Sequence, residues 1–200
     1  EEIRKISFSN NPPELYEPIR YMLTLGGKRV RPAVMLMANE LFGGNPFTIT
    51  TPALGIEMFH NFTLLHDDIM DKAPLRRAQA TVHTRWNSEI AILSGDTMFV
   101  KSCELMMQVE DKHLRPVMNL FHKTAVEVCE GQQLDMNFES RGDVSIPEYI
   151  NMITLKTAVL LACSLEIGAI LAGASQADAN LIYDFGKNLG IAFQLHDDIL

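Results

Sequence analysis

Residues 56–71 read IEMFHNFTLLHDDIMD, and apolar side chains recur through this stretch at helical spacing. Asp67 and Asp71 are four residues apart and therefore share one helix face, with Asp68 one step round. Carboxylates among so many apolar neighbours must be paired or bound to a metal ion. Mg²⁺ binds through one or two carboxylates and completes its shell with water and phosphate. The stretch predicts a largely buried helix with a magnesium site, the alternative being a solvated acidic helix end.

A second helix of the same kind is predicted at the far end of the chain, where residues 189–200 read LGIAFQLHDDIL. Its HDDI repeats the letters of residues 66–69. Gln194 precedes Asp197 by three residues and Asp198 by four, so it faces the same way. Two such helices across a bundle would present two carboxylate clusters to one cavity and could clamp a diphosphate through several Mg²⁺ ions. The two stretches together favour the metal site over an acidic helix end.

The remaining periodicity is helical as well, and no clear period-2 strand is present. Gly26 and Gly27 can end the first helix, and Ser145 and Glu148 have the spacing of a capping box. We expect helices at residues 13–25, 32–43, 50–72, 81–108, 112–138, 146–173 and 176–200. The predicted fold is all-α: a single large antiparallel helix bundle with a central apolar cavity, in one domain over residues 1–200.

Composition narrows the possible partners. The 200 residues carry a net charge of −8, which argues against nucleic acid and anionic membranes as general partners. No run approaches about 18 uninterrupted apolar residues, so no integral membrane segment is expected. The three cysteines, Cys103, Cys129 and Cys163, are predicted to be buried thiols of a reducing compartment, and the location is predicted to be cytoplasmic.

The ends of the sequence also carry an expectation. The chain begins without Met or a signal-peptide pattern, and its last residues lie inside an apolar pattern without a stop signal. We expect a domain truncated at its C-terminal end, cut from a longer polypeptide.

Basic residues suited to phosphate occur at three places. Lys28 and Arg31 follow the Gly26-Gly27 pair, whose backbone allows close approach of a ligand. Arg76 and Arg77 come five and six residues after Asp71, and Lys156 stands beside Thr157 in an apolar helix. Each of these three groups also has an interpretation without phosphate binding, such as a basic loop between helices or a lysine whose stem covers apolar surface.

These parts suit the ionisation of a hydrophobic diphosphate. Carboxylates can hold Mg²⁺, cations can bind phosphate, and apolar walls can keep water from a carbocation. The sequence has no P-loop, no G-x-G-x-x-G and no nucleophile paired with a base at a known spacing.

In these motifs the chain resembles the trans-isoprenyl diphosphate synthase (polyprenyl synthetase) family over essentially its whole length. The matching motifs are GGKRVRP at 26–32, His60 with DDIMD at 67–71, Arg76-Arg77, Gly95-Asp96, GQQLD at 131–135 with Lys156-Thr157, and FQLHDD at 193–198.

The resemblance implies a prenyltransferase that joins isopentenyl diphosphate head-to-tail to an allylic diphosphate, usually as a homodimer. It implies that Asp67, Asp71 and Asp197 ligate three Mg²⁺ ions when diphosphate is bound, with Mn²⁺ as the alternative metal. Asp68 and Asp198 would support these ligands. Lys156 counts with Asp67, Asp68, Asp71 and Asp197 as catalytic. The implied isopentenyl diphosphate site comprises Lys28, Arg31, His60 and Arg77. The implied allylic site comprises Arg76, Lys156, Thr157 and Gln194.

Product length is set, in the family, by bulk just before the first aspartate motif. Phe62, Thr63 and Phe59 stand there, and an aromatic residue five positions before Asp67 resembles makers of C15 or C20 products. A helical wheel places Phe59 and Thr63 nearer to Asp67 than Phe62, so the residue that forms the floor stays open.

Two departures from the family pattern are present. Ala78 stands where the family usually has Gly, which we expect to be harmless. The chain stops one residue before the family's third aspartate of the second motif.

Two alternatives of other classes remain. A class I terpene cyclase shares the first aspartate motif but would carry a different second metal motif and lack the basic set at 28–31. A non-catalytic regulatory subunit of a prenyl synthase would tend to lose the aspartate clusters.

Overall fold

The computed structural model describes residues 2–199, apart from the side chain of residue 4. The chain is all-α, as predicted, with one two-stranded hairpin. The elements in order are α1 (Pro13–Thr24), α2 (Val30–Leu41), α3 (Thr50–Met70), β1 (Leu75–Arg76), β2 (Gln79–Ala80), α4 (Val82–Arg85), α5 (Ser88–Met106), α6 (Asp111–Phe138), α7 (Ile146–Ile153), α8 (Val159–Leu171) and α9 (Gln176–Ile199). Short 3₁₀ helices occupy Glu2–Lys5 and Pro46–Ile49, and a π-helical segment, Thr154–Ala158, joins α7 to α8.

The predicted helices lie where the periodicity put them, with two exceptions. The predicted helix 146–173 is interrupted by the π-helical segment Thr154–Ala158. The predicted helix 81–108 is two helices, because the chain leaves helical geometry at Trp86 and Asn87. The side chain of Asn87 accepts a hydrogen bond from the backbone N–H of Ile90 at 2.8 Å and so caps α5. The predicted capping box at Ser145 and Glu148 is confirmed. Residue 200, the predicted end of the last helix, lies outside the described residues.

The hairpin is an element that the periodicity did not indicate. Leu75 pairs with Ala80 and Arg76 with Gln79, in antiparallel register. Arg77 and Ala78 form the turn with φ of 53° and 62°, the left-handed values that a two-residue type I′ turn needs at both central positions. Glycine adopts these values without steric cost, which explains why a glycine suits position 78.

The residues divide into two compact units. The first comprises Glu1–Arg29 and Leu54–Met107, and the second comprises Val30–Ala53 and Gln108–Leu200. In the first unit α1, α3, α4 and α5 share one apolar core. Its fully or nearly fully buried members are Ile19, Met22, Leu23, Met58, Leu65, Val82, Ala91 and Met98.

The second unit is built around α8. It packs against α2, α6 and α9, and the π-helical segment packs against α6 and α9. Within the described residues, one helical run, Ile146–Leu171, is apolar and long enough to cross a membrane, but 67% of its apolar window is buried inside the protein and it contains Lys156. It is therefore the core helix of this unit.

The cysteine prediction is only partly right. All three cysteines are free thiols, and Cys163 is buried. Cys103 is half-buried, and Cys129 is exposed because it lies one step around α6 from the buried Val128. The prediction of a buried thiol is therefore wrong for Cys129.

Candidate active site

The first aspartate motif lies at the end of α3, with Asp71 directly after the helix, and its middle aspartate, Asp68, is the buried one. The Asp68 side chain is 1% exposed, whereas that of Asp67 is 18% exposed. Asp68 Oδ1 accepts hydrogen bonds from Arg76 Nε at 2.9 Å and from Arg76 Nη2 at 2.6 Å, and Arg76 Nη2 also lies 3.3 Å from Asp67 Oδ2. Burial raises the pKa of Asp68, and the hydrogen bonds from Arg76 oppose that rise. Asp68 thus holds Arg76 against the motif.

The hairpin explains how Arg76 reaches this position. Arg76 ends β1, and the turn directly after it reverses the chain. The next residue, Arg77, donates from Nη1 to the carbonyl oxygen of Gly26. A Cβ added to Gly27 would come within 2.8 Å of the Arg77 guanidinium, so the glycine is what allows this close approach. The structure therefore brings Arg77 against the loop that carries Lys28, as expected if both bind one diphosphate.

A buried ion pair that was not predicted from the sequence anchors the same loop. Arg29 has φ of 52° and donates from Nη1 to Glu57 Oε1 and from Nη2 to the carbonyl oxygen of Leu23 at 3.0 Å. Asn61 Nδ2 donates to the same Glu57 oxygen at 2.9 Å. The sequence signal for this pair is Glu57, a glutamate among the apolar residues of α3, because a buried carboxylate needs a partner.

His60 and the three product-length candidates lie on α3 of the first unit. His60 is half-buried, and its carbonyl oxygen accepts a bond from Thr63 Oγ1 at 2.8 Å. The Phe62 ring lies 5.6 Å from Phe59, 4.7 Å from His66 and 5.3 Å from Phe99 of α5, with which it is stacked. Phe99 was not among the candidates, because its link to Phe62 spans two helices.

The predicted Gly95-Asp96 motif lies where α5 meets α3. A Cβ on Gly95 would come within 2.2 Å of His66 Nε2. That nitrogen is 3.2 Å from the Ile92 carbonyl oxygen and 3.9 Å from Asp96 Oδ1. The glycine therefore serves close packing of the two helices beside the first aspartate motif.

In the second unit Lys156 and Thr157 lie in the π-helical segment. Lys156 Nζ donates to Asp135 Oδ2 of α6 at 2.5 Å. A Cβ on Gly131 would come within 2.2 Å of the Lys156 backbone nitrogen, and a Cβ on Gly190 would come within 2.6 Å of the Ala158 Cα. The helices α6 and α9 thus approach the π-helical segment at glycines. The structure brings Gly131, Asp135 and Lys156 together.

The second aspartate motif, on α9, is tied to the same segment. Thr157 Oγ1 donates to Gln194 Oε1 at 3.1 Å, and Gln194 Nε2 donates to Asp198 Oδ1 at 2.9 Å. Tyr149 of α7 donates its hydroxyl to the other carboxylate oxygen, Asp198 Oδ2. Burial, followed by the Asp198 carboxylate, raises the pKa of Tyr149 to about 12. Asp197 is exposed.

The predicted residues therefore fall into two sets. The first unit holds Lys28, Phe59, His60, Phe62, Thr63, Asp67, Asp68, Asp71, Arg76 and Arg77. The second unit holds Arg31, Lys156, Thr157, Gln194, Asp197 and Asp198. Tyr149 was missed; its position seven residues before Lys156, two helical turns away, was the only sequence signal for it.

The aspartate oxygens of the two motifs fit Mg²⁺ only as part of its ligand set. Within residues 2–199 no group of three or more His, Cys, Asp or Glu side chains lies close enough to hold a metal ion by itself. Aspartate oxygens are nevertheless the hard ligands that Mg²⁺ takes, usually one or two per ion with phosphate and water as the rest. The residues present fit metal ions that arrive together with a diphosphate.

Comparison with known proteins agrees with this chemistry. The Polyprenyl synthetase family model matches residues 12–200. A geranylgeranyl diphosphate synthase of Methanosarcina mazei is 45% identical over 94% of this chain and 59% of its own length. A geranylfarnesyl diphosphate synthase of Natronomonas pharaonis is 39% identical over 94% of this chain and 61% of its own.

The solved structures agree as well. The geranylgeranyl pyrophosphate synthetase of Geoglobus acetivorans superposes with a TM-score of 0.93 at 38% identity, over 100% of this chain and 65% of that one. The chain spans about three-fifths of the length of the curated relatives that it matches.

Proposed function

The chain belongs to the polyprenyl synthetase family, and from that premise we propose that its protein condenses isopentenyl diphosphate head-to-tail with an allylic diphosphate. The products are a short-chain trans-prenyl diphosphate, C15 or C20, and diphosphate. The names of the similar proteins favour a short chain, and those of the Methanosarcina and Geoglobus proteins favour C20. The resemblance also supports a homodimer in the cytoplasm.

One observation carries the proposal. In each HDDI stretch the second aspartate is held by side-chain donors, Asp68 by Arg76 and Asp198 by Tyr149 and Gln194. A carboxylate held in this way positions its neighbours. In α3 the first aspartate is the more exposed member of its pair. In α9 both aspartates are exposed, and Asp198 is the one that Tyr149 and Gln194 hold. This arrangement suits Asp67 and Asp197 as metal ligands, with Asp71 joining Asp67.

Each residue set then has a role in binding. Asp67, Asp71 and Asp197 would hold Mg²⁺, in three ions with diphosphate bound. Bound Mg²⁺ would supply positive charge that stabilises the departing diphosphate. Lys28, Arg31, His60 and Arg77 would bind the diphosphate of isopentenyl diphosphate, and Arg76, Lys156, Thr157 and Gln194 that of the allylic substrate.

The same residues also supply the positive charge that the reaction needs from the protein. Arg76 and Lys156 are each oriented by a carboxylate, Asp68 and Asp135, so their charges are placed before substrate arrives. By our proposal the C1–oxygen bond of the allylic diphosphate breaks first, the isopentenyl double bond attacks C1 of the resulting cation, and a proton then leaves to the departing diphosphate. Apolar residues exclude water from the cation.

The two alternatives have less support. A terpene cyclase does not need the isopentenyl diphosphate set around Lys28, and Arg77 lies against that loop. A regulatory subunit does not need the aspartate positions, and both aspartate pairs are retained. The Methanosarcina and Natronomonas relatives are diphosphate synthases.

The test is incorporation of radiolabelled isopentenyl diphosphate by the natural protein. It is run with C5, C10 and C15 allylic partners, with Mg²⁺ or with a chelator, and the products are resolved by length. We expect Mg²⁺-dependent incorporation.

Asp67→Asn should lower turnover by orders of magnitude while the protein stays folded, because the ligand acts mainly in the transition state. Asp184→Asn, which alters an exposed aspartate of α9 paired with Lys187, is the matched control. Equal turnover in the Asp67 variant and the control would reject the metal site.

A further inference from the structure

The carboxylate of Asp198 is held on both of its oxygens by side chains from two different helices. Tyr149 of α7 donates to Oδ2, and Gln194 of α9 donates to Oδ1 at 2.9 Å. A hydrogen bond from a neutral donor to a carboxylate is stronger than one between neutral groups. Asp198 therefore has a defined orientation before any ligand is present.

A second bond links the same two parts of the chain. Thr157 Oγ1 in the π-helical segment donates to Gln194 Oε1 at 3.1 Å. The stretch from α7 to the π-helical segment thus contacts α9 through Tyr149 and through Thr157. The two contacts on α9 are one turn apart, at Gln194 and Asp198. Two bonds along one face oppose rotation of the last turns of α9 about the helix axis, and that rotation would redirect Asp197.

Tyr149 is the one member of this chain of bonds that no motif includes. Its hydroxyl contacts Asp198, not the proposed ligand Asp197. Loss of a group that contacts a metal ligand directly typically weakens metal affinity or activity by about 10- to 100-fold. Tyr149 acts one residue further out, through Asp198, so the lower end of that range is expected.

We propose that Tyr149 is a positioning residue of the second aspartate motif: through Asp198 it orients the end of α9 so that Asp197 binds the Mg²⁺ that accompanies the allylic diphosphate. The inference rests on the proposed function for the identity of that ligand. Tyr149 lies outside the aspartate motifs. Within the second motif, Asp197 is then the metal ligand and Asp198 is the residue that anchors it.

Tyr149→Phe removes one oxygen atom and keeps the ring. Tyr183→Phe is the matched control, since Tyr183 is a half-buried tyrosine of α9, outside the motif. The first readout needs no turnover: isothermal titration of Mg²⁺ into the natural protein with inorganic pyrophosphate. We expect the apparent Kd for Mg²⁺ to rise about tenfold in Tyr149→Phe, the lower end of the range for such partners, and to stay unchanged in Tyr183→Phe.

The second readout distinguishes positioning from general stability. In steady-state assays Tyr149→Phe should raise the KM for the allylic diphosphate and the Mg²⁺ concentration for half-maximal rate, while the KM for isopentenyl diphosphate stays constant. A role that is only structural would lower the melting temperature and move both KM values together. An unchanged Kd for Mg²⁺ and an unchanged allylic KM would overturn the proposal.

A double-mutant cycle tests whether Tyr149 acts through Asp198. In an Asp198→Asn background, Tyr149→Phe should add little further loss of Mg²⁺ affinity. Full additivity would overturn the proposed route. Asp198→Asn alone should raise the Kd for Mg²⁺ as well, and an unchanged Kd in that variant would overturn the route even if Tyr149→Phe folds poorly. Failure of the proposed function is a separate outcome: wild-type protein would not incorporate isopentenyl diphosphate, yet the pyrophosphate titration would still report on Tyr149. Wild-type protein that binds no Mg²⁺ with pyrophosphate would overturn both.

Discussion

The ion pair of Arg29 and Glu57 gives the sharpest prediction about stability. The pair fixes the loop that carries Lys28 to α3, and its two charges are buried to different extents: the Glu57 side chain is 3% exposed and that of Arg29 is 26% exposed. We consider Arg29→Met, Glu57→Met and the double variant. Methionine is an unbranched apolar residue that removes the charge at either position, and at position 29 it has the same backbone strain as arginine.

The two single variants should differ, because they leave different charges behind. Arg29→Met leaves a carboxylate with almost no access to water, and breaking a buried pair in this way costs about 3–5 kcal/mol. Glu57→Met leaves a guanidinium that is partly hydrated and still donates to the Leu23 carbonyl oxygen at 3.0 Å. The lost hydrogen bond to a charged group then costs about 1.5–3 kcal/mol. The double variant should lose less than Arg29→Met alone, because no buried charge remains.

The free energy of unfolding is measured by urea titration of the natural protein, followed by far-UV circular dichroism. The slopes should stay constant across the series, so that midpoints report stability. Lys101→Met is the control, since Lys101 and Glu104 form an exposed pair at 2.7 Å on α5, and such pairs contribute about 0–1 kcal/mol. If the double variant loses the sum of the two single losses, the groups are not coupled and the reasoning is refuted. A larger loss for Glu57→Met than for Arg29→Met would refute the argument from exposure.

Four further outcomes are expected from other parts of the chain. Phe62→Ala should lengthen the products, since the ring stacks on its neighbour in α5 and its loss opens space; an unchanged product distribution in the incorporation assay would place the floor elsewhere. Ala78→Gly should raise the free energy of unfolding by up to about 1 kcal/mol, because φ of 62° strains a residue with a Cβ; a loss in the urea titration would contradict this. Gly131→Ala should destabilise the protein by about 1–3 kcal/mol despite the helix propensity of alanine, since its Cβ would meet the backbone of the π-helical segment at 2.2 Å; a higher melting temperature would count against that contact. Bonds from Ser145, and then Arg141, lower the pKa of Glu148 to about 2, so its contribution to capping α7 should be present above the unfolded pKa of about 4.3 and lost as the pH falls through about 2; an NMR titration of Glu148 with an ordinary midpoint would exclude the capping bond.

The local features of this chain could be predicted because short-range interactions determine them. The helices follow the apolar period, the capping box at Ser145 and Glu148 needs only a spacing of three, and glycines at 26 and 27 end α1. The hairpin was missed because two-residue strands have no period to detect. The break at Asn87 was missed because a single capping side chain decided it within an otherwise helical pattern.

The candidate site divides in the same way. The all-α class, the two aspartate pairs, the nearby cations and the family could be recognised from the sequence, because repeated letters at helical spacing are visible along one chain. The contacts of each group depend on the folded chain: Arg29 reaches Glu57 across 28 residues, Lys156 reaches Asp135 across 21, and Tyr149 reaches Asp198 across 49. Such bonds form when packing brings a donor atom and an acceptor atom from distant parts of the chain within about 3 Å, and that packing depends on the shapes of all the side chains between them.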